Sequence, residues 1–383
     1  MEVTNYTALL GYLETEQYRW NAFSSLGTQA VVTYSFYESD TLPAVSGGAA
    51  GHTEYWSFDQ AQRYSFRAAL DRYEEAAGLI FVEVDGPAMI NAYGYDRYNS
   101  TAGYAYYPYV TETYTSSGDL AIGNGDFSIG GGQFDTILHE IGHAVGLAHP
   151  HDGDLTLADS VDTRANTVMT YNWGTGSDLG VFDLQALEHL YGSSDAFDGW
   201  SVTGGGEDAV RIRANRGDNT ILAVDVDTII IARGGADTVQ GRDGNDAIKG
   251  GGGRDELNGG GGNDVLRGGG ANDNLIGADG DDRLIGNRGR DVLTGGDGDD
   301  VLTGGGGADV FVFTDADFFD SNTITDFKSG VDQIDLSGID PQYIGELEVT
   351  QTETGTTLSY YSWFEIELTE FTGSLAADDI LYV

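Results

Sequence analysis

Three histidines fall within the stretch 133–150 at spacings that suit a metal site. His139 and His143 are four residues apart, so on a helix both side chains lie on the same face. His149 follows Gly146, and glycine readily lets a chain turn back at the end of a helix. Three neutral imidazoles leave one coordination position of a zinc ion open for water. That is the arrangement of a catalytic rather than a structural zinc site.

Glu140 is adjacent in sequence to the first histidine and would lie beside the metal rather than bind it. A carboxylate in this place can take a proton from zinc-activated water, so we predict that Glu140 is the general base of a hydrolase. The alternative is a buried helix whose histidines are only hydrogen-bonded. That alternative leaves the joint spacing of the three histidines and the glutamate unexplained.

A helix must carry two of these histidines, and the sequence predicts one. Apolar residues recur every three to four positions, at Phe134, Ile137, Leu138, Ile141 and Val145. This periodicity is typical of a helix with one face in the core. The same reasoning predicts helices over 60–78 and 182–191 and strands over 31–36 and 80–84.

The string that starts at His139 matches HExxHxxGxxH, the pattern of the metzincin zinc proteases. Their second mark is a methionine turn, and Met169 stands in such a stretch at 167–171 (TVMTY). Together with Pro150 and Tyr171, this segment resembles the serralysin branch in particular. In that branch the tyrosine of the turn is a displaceable zinc ligand that helps to stabilise the oxyanion intermediate. The resemblance gives this role to Tyr171 and a structural role to Met169.

The composition excludes several other classes of protein. The chain has 383 residues, enough for two or three domains with their own cores. It has no cysteine, so neither disulfides nor thiolate metal sites contribute. Lys and Arg total 18 against 62 Asp and Glu, a net charge of −44 that repels phosphate backbones. Nucleic acid is therefore excluded as a main partner.

A nonapeptide repeat occupies the glycine-rich stretch 234–307. Nine aspartates stand at every ninth position, at Asp237, Asp246, Asp255, Asp264, Asp273, Asp282, Asp291, Asp300 and Asp309. An apolar residue follows two positions after each, and glycine stands two before each except at Ala271. This is the pattern GGxGxDxUx of a calcium-binding parallel β-roll, in which glycine supplies the positive φ of the turns.

Stacking is the only way for such repeats to form a core, because no repeat can bury its single apolar residue alone. The nine aspartates are predicted to bind calcium between every second repeat, which allows seven pairs, from Asp237/Asp255 to Asp291/Asp309. The apolar register continues upstream at Ile212, Ile221 and Ile230. Other residue types stand there in the aspartate positions: Val210, Asn219 and Thr228. We interpret these turns as ones that keep the stack but bind calcium poorly or not at all.

Two further segments resemble parts of serralysins. Residues 314–383 have the pattern of strands separated by turns, like the domain that caps the roll in that family. There the extreme C-terminus is an uncleaved signal for type I export from Gram-negative cells, and residues 379–383 fit it loosely. Gly118–Ile122 resembles the edge strand along which a peptide substrate lies. This predicts substrate binding by Gly118, Asp119, Leu120, Ala121 and Ile122.

The predicted architecture is an α+β metzincin domain over 1–205, an all-β roll over 206–313 and a β-sandwich-like cap over 314–383. Residues 1–17 lack a signal peptide and are interpreted as a short pro-segment or an N-terminal extension. The predicted function is that of a secreted zinc endopeptidase with one catalytic Zn²⁺ and several structural Ca²⁺. Its partners would be protein or peptide substrates and the type I secretion machinery, with no membrane insertion and a monomeric state.

Two alternatives remain open on the sequence. The repeats alone would equally suit a calcium-binding structural or adhesive protein whose zinc site is vestigial. A protease of narrow specificity that processes itself would carry the same motifs.

Overall fold

The computed structural model describes the chain except for residues 1, 4–5, 11–25, 27, 38–51, 98–102, 107–108, 112–113, 117, 153–155, 173–177, 207, 315–316, 318, 340–346, 354, 361–363, 377 and 382–383. It divides into two compact units. The first comprises Met1–Asp198 with Gly205–Asp208, and the second comprises Gly199–Gly204 with Ala209–Val383. Within the described ranges, no helix has both the length and the apolar character needed to cross a membrane.

The first unit combines helices with short strands. Its helices are α1 (Gln60–Ala76), α2 (Gly132–Ala144) and α3 (Val181–Tyr191). Its strands are β1 (Glu2–Val3), β2 (Ala30–Phe36), β3 (His52–Trp56), β4 (Leu79–Glu83), β5 (Ile90–Arg97), β6 (Gly103–Ala105), β7 (Tyr109–Thr111), β8 (Tyr114–Ser116), β9 (Gly118–Ile122) and β10 (Thr156–Leu157).

Helix α1 shows why the predicted elements form. Asp59 caps its first turn by accepting the backbone N–H of Gln62, whose side chain accepts the N–H of Asp59 in return. Phe66 and Tyr73 lie on the buried face of this helix. The Tyr73 hydroxyl donates a hydrogen bond to the carbonyl of Leu138 in α2. The helix predicted over 60–78 is confirmed, and this contact fixes it against the helix that carries the histidines.

The main sheet of the first unit has the order β4-β2-β5-β9-β6, with β3 paired to β5. Strand β9 is parallel to β5 on one side and antiparallel to β6 on the other. The prediction that Gly118–Ile122 is an edge strand is therefore wrong. Its backbone is already hydrogen-bonded on both sides over its last three residues, and these are fully buried. Among the described residues, Gly103–Ala105 forms this edge of the sheet.

The N-terminal segment is part of the first unit. Strand β1 pairs in parallel with β10, and the carbonyl of Leu9 accepts the backbone N–H of Ala148. Residues 11–17 of the predicted pro-segment lie outside the described residues.

The second unit consists of strands. They are β11 (Ser201–Gly205), β12 (Asp208–Arg213), β13 (Thr220–Leu222), β14 (Thr228–Gly234), β15 (Thr238–Gln240), β16 (Ala247–Gly252), β17 (Glu256–Gly261), β18 (Val265–Gly270), β19 (Asn274–Asp279), β20 (Arg283–Arg288), β21 (Val292–Asp297), β22 (Val301–Gly306), β23 (Val310–Thr314), β24 (Ser321–Ile324), β25 (Gln333–Gly338), β26 (Glu348–Gln351), β27 (Gly355–Tyr360), β28 (Phe364–Thr369) and β29 (Ile380–Leu381).

Strands β12 to β23 alternate between two sheets, so each of them pairs with the strand two further along the chain. One sheet has the order β11-β12-β14-β16-β18-β20-β22-β24-β28-β27-β26 and the other β13-β15-β17-β19-β21-β23-β25-β29. Pairing in the repeats is parallel with a register of 18 residues, as between Ile248 and Leu266. The predicted parallel β-roll is confirmed. The upstream extension is confirmed too, since Ile212, Ile221 and Ile230 are buried in β12, β13 and β14.

The C-terminal segment continues both sheets. Strands β24 and β28 extend the first in parallel, and β25 and β29 extend the second. Strands β26, β27 and β28 form an antiparallel meander at the end of the first sheet. Strands were predicted here, and strands are found.

Candidate metal centre and active site

Helix α2 and the turn after it bring the three histidines together. The helix packs Phe134, Ile137 and Leu138 into the core, with no exposed surface. Gly146 has a φ of 95°, a left-handed conformation that lets the chain reverse after the helix. The ligand nitrogens of His139, His143 and His149 all lie within 4.8 Å of one another.

The three imidazoles are held in the tautomer that a metal requires. The Nδ1 of His139 is 2.8 Å from the carbonyl oxygen of Val168, and the Nδ1 of His143 is 2.8 Å from that of Leu147. A carbonyl oxygen can only accept, so both Nδ1 atoms carry the proton and both Nε2 atoms are unprotonated. Burial lowers the pKa of His139 to about 4, which keeps its ring neutral.

The Nε2 of His149 lies 3.2 Å from that of His139 and 3.0 Å from that of His143. Its Nδ1 is 2.8 Å from the Oδ2 of Asp152. With their Nδ1 protons engaged, the three rings direct lone pairs at one point, and these repel one another unless a cation lies between them. The donor set fits zinc, for which neutral imidazole is a preferred ligand.

Glu140 lines the same cavity as the histidines. Burial raises the pKa of its carboxyl to about 8, and a hydrogen bond from the backbone of Ala105 acts in the opposite direction. Gly103 gives the carboxylate its space, because a Cβ at this position would be 2.6 Å from the Cγ of Glu140. Strand β6 therefore contacts the predicted general base directly.

Tyr171 lies at the mouth of the cavity with 71% of its surface exposed. Its hydroxyl is 2.6 Å from the Nε2 of His149, at the point where the histidine nitrogens converge. Partial burial and the nearby carboxylates of Glu140 and Asp152 raise the pKa of its hydroxyl. The phenol therefore keeps its proton and can donate a hydrogen bond.

Met169 is fully buried against helix α2. A Cβ on Gly142 would be 2.4 Å from the Met169 sulfur, so the glycine between the first two histidines permits this close approach. The neighbouring Val168 is fixed on both sides. Its N–H donates to the buried carboxylate of Asp183, and its carbonyl accepts from His139 and from Arg164.

Sequence reasoning missed four of these contributors: Asp152, Val168, Arg164 and Asp183. An aspartate three residues after a histidine was a weak local signal for the first, and nothing in the sequence marked the others. The predicted substrate residues Gly118–Ile122 do not line the cavity. Its volume is about 770 Å³, and the β6 residues Gly103, Tyr104 and Ala105 line it instead.

The repeat aspartates form two ladders. From Asp255 onward, each Oδ1 accepts the backbone N–H of the aspartate 18 residues earlier, as between Asp264 and Asp246 at 2.6 Å. The ladders extend at both ends through residues outside the nine, at Asn219, Thr228, Asn322 and Asp332. Sequence reasoning missed Asn322 and Asp332, because they depart from the nine-residue step.

The second carboxylate oxygen of every repeat aspartate is buried without a hydrogen-bond partner. The nine side chains are Asp237, Asp246, Asp255, Asp264, Asp273, Asp282, Asp291, Asp300 and Asp309, each exposed by 2% or less. Burial first, and neighbouring carboxylates second, raise the pKa of Asp300 to about 8 and that of Asp282 to about 7, although backbone hydrogen bonds oppose this. Orphaned oxygens of this kind fit calcium, a cation that prefers oxygen ligands.

Residues 225–257, 250–283 and 276–311 match a family model described as the RTX calcium-binding nonapeptide repeat in four copies. The serralysin of Proteus mirabilis is 30% identical over 273 residues, which cover 59% of this chain and 52% of that one. Serralysin C of Dickeya chrysanthemi is 31% identical over 47% of this chain and 42% of its own. The chain is serralysin-like and carries RTX repeats.

This serralysin-like chain spans about half the length of the curated relatives it matches. Among solved structures, the AlgE6R3 subunit of the Azotobacter vinelandii mannuronan C5-epimerase is 32% identical. That match covers 32% of this chain and 78% of the subunit, with a TM-score of 0.26.

Proposed function

We propose that the chain is a secreted, calcium-stabilised zinc endopeptidase with a metzincin-type catalytic domain. The observation that carries this proposal is the convergence of three unprotonated Nε2 atoms beside Glu140 and Tyr171 in one cavity. The serralysin likeness supports it. His139, His143 and His149 would hold the zinc, which supplies a Lewis acid that lowers the pKa of water and stabilises developing negative charge.

Glu140 is proposed as the general base. Its carboxylate faces the cavity, and a base there takes the proton of the attacking water and passes it to the leaving amine. Tyr171 is proposed as the oxyanion donor. Its protonated hydroxyl lies beside the histidine nitrogens, where the carbonyl oxygen of a bound peptide gains negative charge.

The edge strand Gly103–Ala105 is proposed as the substrate-binding strand. It lines the cavity and contacts Glu140 through the backbone of Ala105. An extended peptide can add to such an edge by main-chain hydrogen bonds. Main-chain pairing ignores side-chain identity, so we propose broad specificity for extended segments of extracellular proteins.

The repeat aspartates are proposed to bind calcium and to make folding of the roll depend on it. Extracellular-type sites bind calcium at about 10⁻⁴–10⁻³ M, so a low-calcium cytosol leaves them empty. Metal binding then contributes folding free energy outside the cell, where this cysteine-free chain has no disulfides. We also propose type I export from a Gram-negative cell, because the chain is serralysin-like and its roll would stay unfolded in a low-calcium cytosol.

Casein digestion tests the proposal. Wild-type chain loaded with zinc and calcium should digest casein, and Glu140→Gln should lower kcat/KM by about 10²–10⁴-fold. Glu188→Gln, on the exposed side of α3, is the matched control and should keep full activity. Failure of the loaded wild type to cleave casein or other unfolded proteins would sink the endopeptidase proposal. A roll that still binds calcium in that case would favour the structural or adhesive alternative.

A further inference from the structure

We propose that the first residue of each turn in the roll decides whether that turn binds calcium. Here the first position is the residue five before the aspartate position. Glycine at this position leaves room for the cation, whereas an apolar side chain fills the space. On this basis turn 232–237 binds no calcium, although it carries Asp237. The inference rests on the proposed calcium role of the repeats.

Backbone conformation does not explain the glycines at the first position. In turn 250–255, Gly251 and Gly253 have φ values of 119° and 132°, which side chains rarely adopt. The eight first-position glycines have no such conformation: Gly241, Gly250, Gly259, Gly268, Gly277, Gly286, Gly295 and Gly304. Positive φ, the predicted reason for glycine, therefore holds for the second and fourth positions only.

The eight first-position glycines are explained instead by the lack of space for a side chain. A Cβ on any of these eight glycines would be 1.9–2.5 Å from the Oδ2 of the aspartate five residues later. At Gly259 it would also be 2.8 Å from the carbonyl oxygen of Gly277, in the turn stacked next to it. No carbon tolerates such distances, whereas calcium accepts oxygen ligands at about 2.3–2.6 Å. The Oδ2 atoms that face this space are the buried ones without a hydrogen-bond partner.

The turns upstream of Gly241 carry alanine at the first position. Ala232 lies opposite Gly250, because its neighbours Ile231 and Arg233 pair with Lys249 and Gly251. Its side chain is fully buried. The same position is held in the two preceding turns by fully buried alanines, Ala214 and Ala223.

Nine residues after Gly304, the first position carries a larger side chain, that of Phe313. Phe313 lies opposite Gly295, since Val312 pairs with Thr294, and its ring is fully buried. The glycine-bearing turns are thus bounded on both sides by turns that fill the same space with hydrocarbon. The terminal turns gain a packed interior that needs no metal.

Turn 232–237 is the informative case because it has both the carboxylate and the methyl group. Asn219 and Thr228 stand in the aspartate positions of the other two alanine turns, so those turns lack a carboxylate as well as space. The assignment therefore removes one of the seven predicted pairs, Asp237/Asp255. Eight aspartates remain in turns that have room for the cation.

Equilibrium dialysis of the full chain against CaCl₂, up to about 10 mM and with zinc saturating, tests this assignment. Ala232→Gly should bind one calcium ion more than wild type. Ala223→Gly, the same change in a turn without a carboxylate, should gain none. Gly268→Ala should lose the two ions of the pairs Asp255/Asp273 and Asp273/Asp291. Gly270→Ala in the same turn should lose none, because a Cβ there has no heavy atom closer than 4.0 Å.

An unchanged calcium number in Ala232→Gly would overturn the inference, and so would equal losses in Gly268→Ala and Gly270→Ala. The gain in Ala232→Gly cannot arise from misfolding, which keeps the test decisive if the alanine variants fold poorly. Wild-type chain that binds no calcium at all would instead overturn the proposed calcium role itself.

Discussion

The histidine cluster and the β-roll both direct unpaired ligand atoms at a cation position, but they hold those atoms in different ways. Around the histidines each supporting contact is made once, by Val168, Leu147 and Asp152. In the roll one contact, from a backbone N–H to an aspartate Oδ1, recurs every nine residues and joins positions 18 apart. Loss of any one contact weakens the whole of a site built from single contacts, whereas a ladder loses one rung at a time.

Removal of all calcium is the largest expected effect, because it acts on every rung at once. Each site contributes about 1.4 kcal/mol at ten times its Kd, and these contributions add along the ladder. At about pH 9, dialysis into calcium-free buffer with zinc should abolish hydrogen-exchange protection of peptides from 246–309, and added calcium should restore it. Full protection without calcium would show that the ladder is not metal-dependent.

Loss of the single contact to His149 is the next largest effect. Asp152→Ala should lower zinc affinity about 10–100-fold, the usual effect of removing the partner that orients a ligating histidine. Competition with a chromophoric chelator measures this. Asp159→Ala, another exposed aspartate of the same segment, should bind zinc like wild type. Equal affinity of the two variants would contradict the orienting role of Asp152.

A methyl group at Gly103 should impair Glu140 without removing any ligand. Because the new Cβ would be 2.6 Å from the Glu140 Cγ, the carboxylate must move, and kcat/KM should fall about 10-fold. Gly132→Ala is the matched control, since Gly132 lines the same cavity and a Cβ there meets no atom within 4 Å. Similar losses in both variants would contradict a specific contact with Glu140.

The calcium-free roll should be more stable in acid than in alkali. Burial raises the pKa of Asp246 to about 9 and that of Asp273 to about 7, from the usual aspartate value of 3.8. The folded roll therefore holds protons that the unfolded chain releases. This contribution to stability is complete below about pH 4 and is lost as the pH rises through these values. Without calcium, the hydrogen-exchange protection of peptides from 246–309 should fall between about pH 5 and 9, once it is corrected for the intrinsic exchange rates of the amides. A rise in protection over this range would contradict the predicted direction of the pH dependence.

A single substitution in the ladder is expected to have the smallest effect. Asp273→Asn keeps an oxygen that can accept the N–H of Asp255 but removes the charge. The free energy of unfolding at saturating calcium should fall by about 1–2 kcal/mol, because calcium binding weakens where Asp273 contributes. Thermal unfolding measures this loss. Casein digestion should be unchanged. Collapse of the whole roll in this variant would contradict the view that rungs act one at a time.

Local periodic patterns account for what could be predicted from the sequence. Helix α2 and the strands of the roll follow from apolar residues at fixed steps, and the histidines come together because one helix and one glycine turn suffice to place them. Whether β6 or β9 forms the sheet edge depends instead on pairing between distant strands, which no local pattern encodes.

The site residues that the sequence did not predict also depend on contacts between distant parts of the chain. Val168 meets His139 across 29 residues, and its contribution is a backbone carbonyl that every residue possesses. The glycines of the repeat were recognised from the sequence, but positive φ was the only reason given for them. Positive φ and free space both select glycine, and only coordinates separate the two.

The 18-residue register also constrains how the roll can change in length. Removal of two consecutive repeats leaves every remaining strand in its own sheet, with its partners in register. Removal of one repeat transfers all later strands to the opposite sheet and joins turns that had belonged to different ladders. Insertions and deletions in this region should therefore be tolerated in multiples of two repeats, which gives protein engineers a natural unit for shortening or extending it.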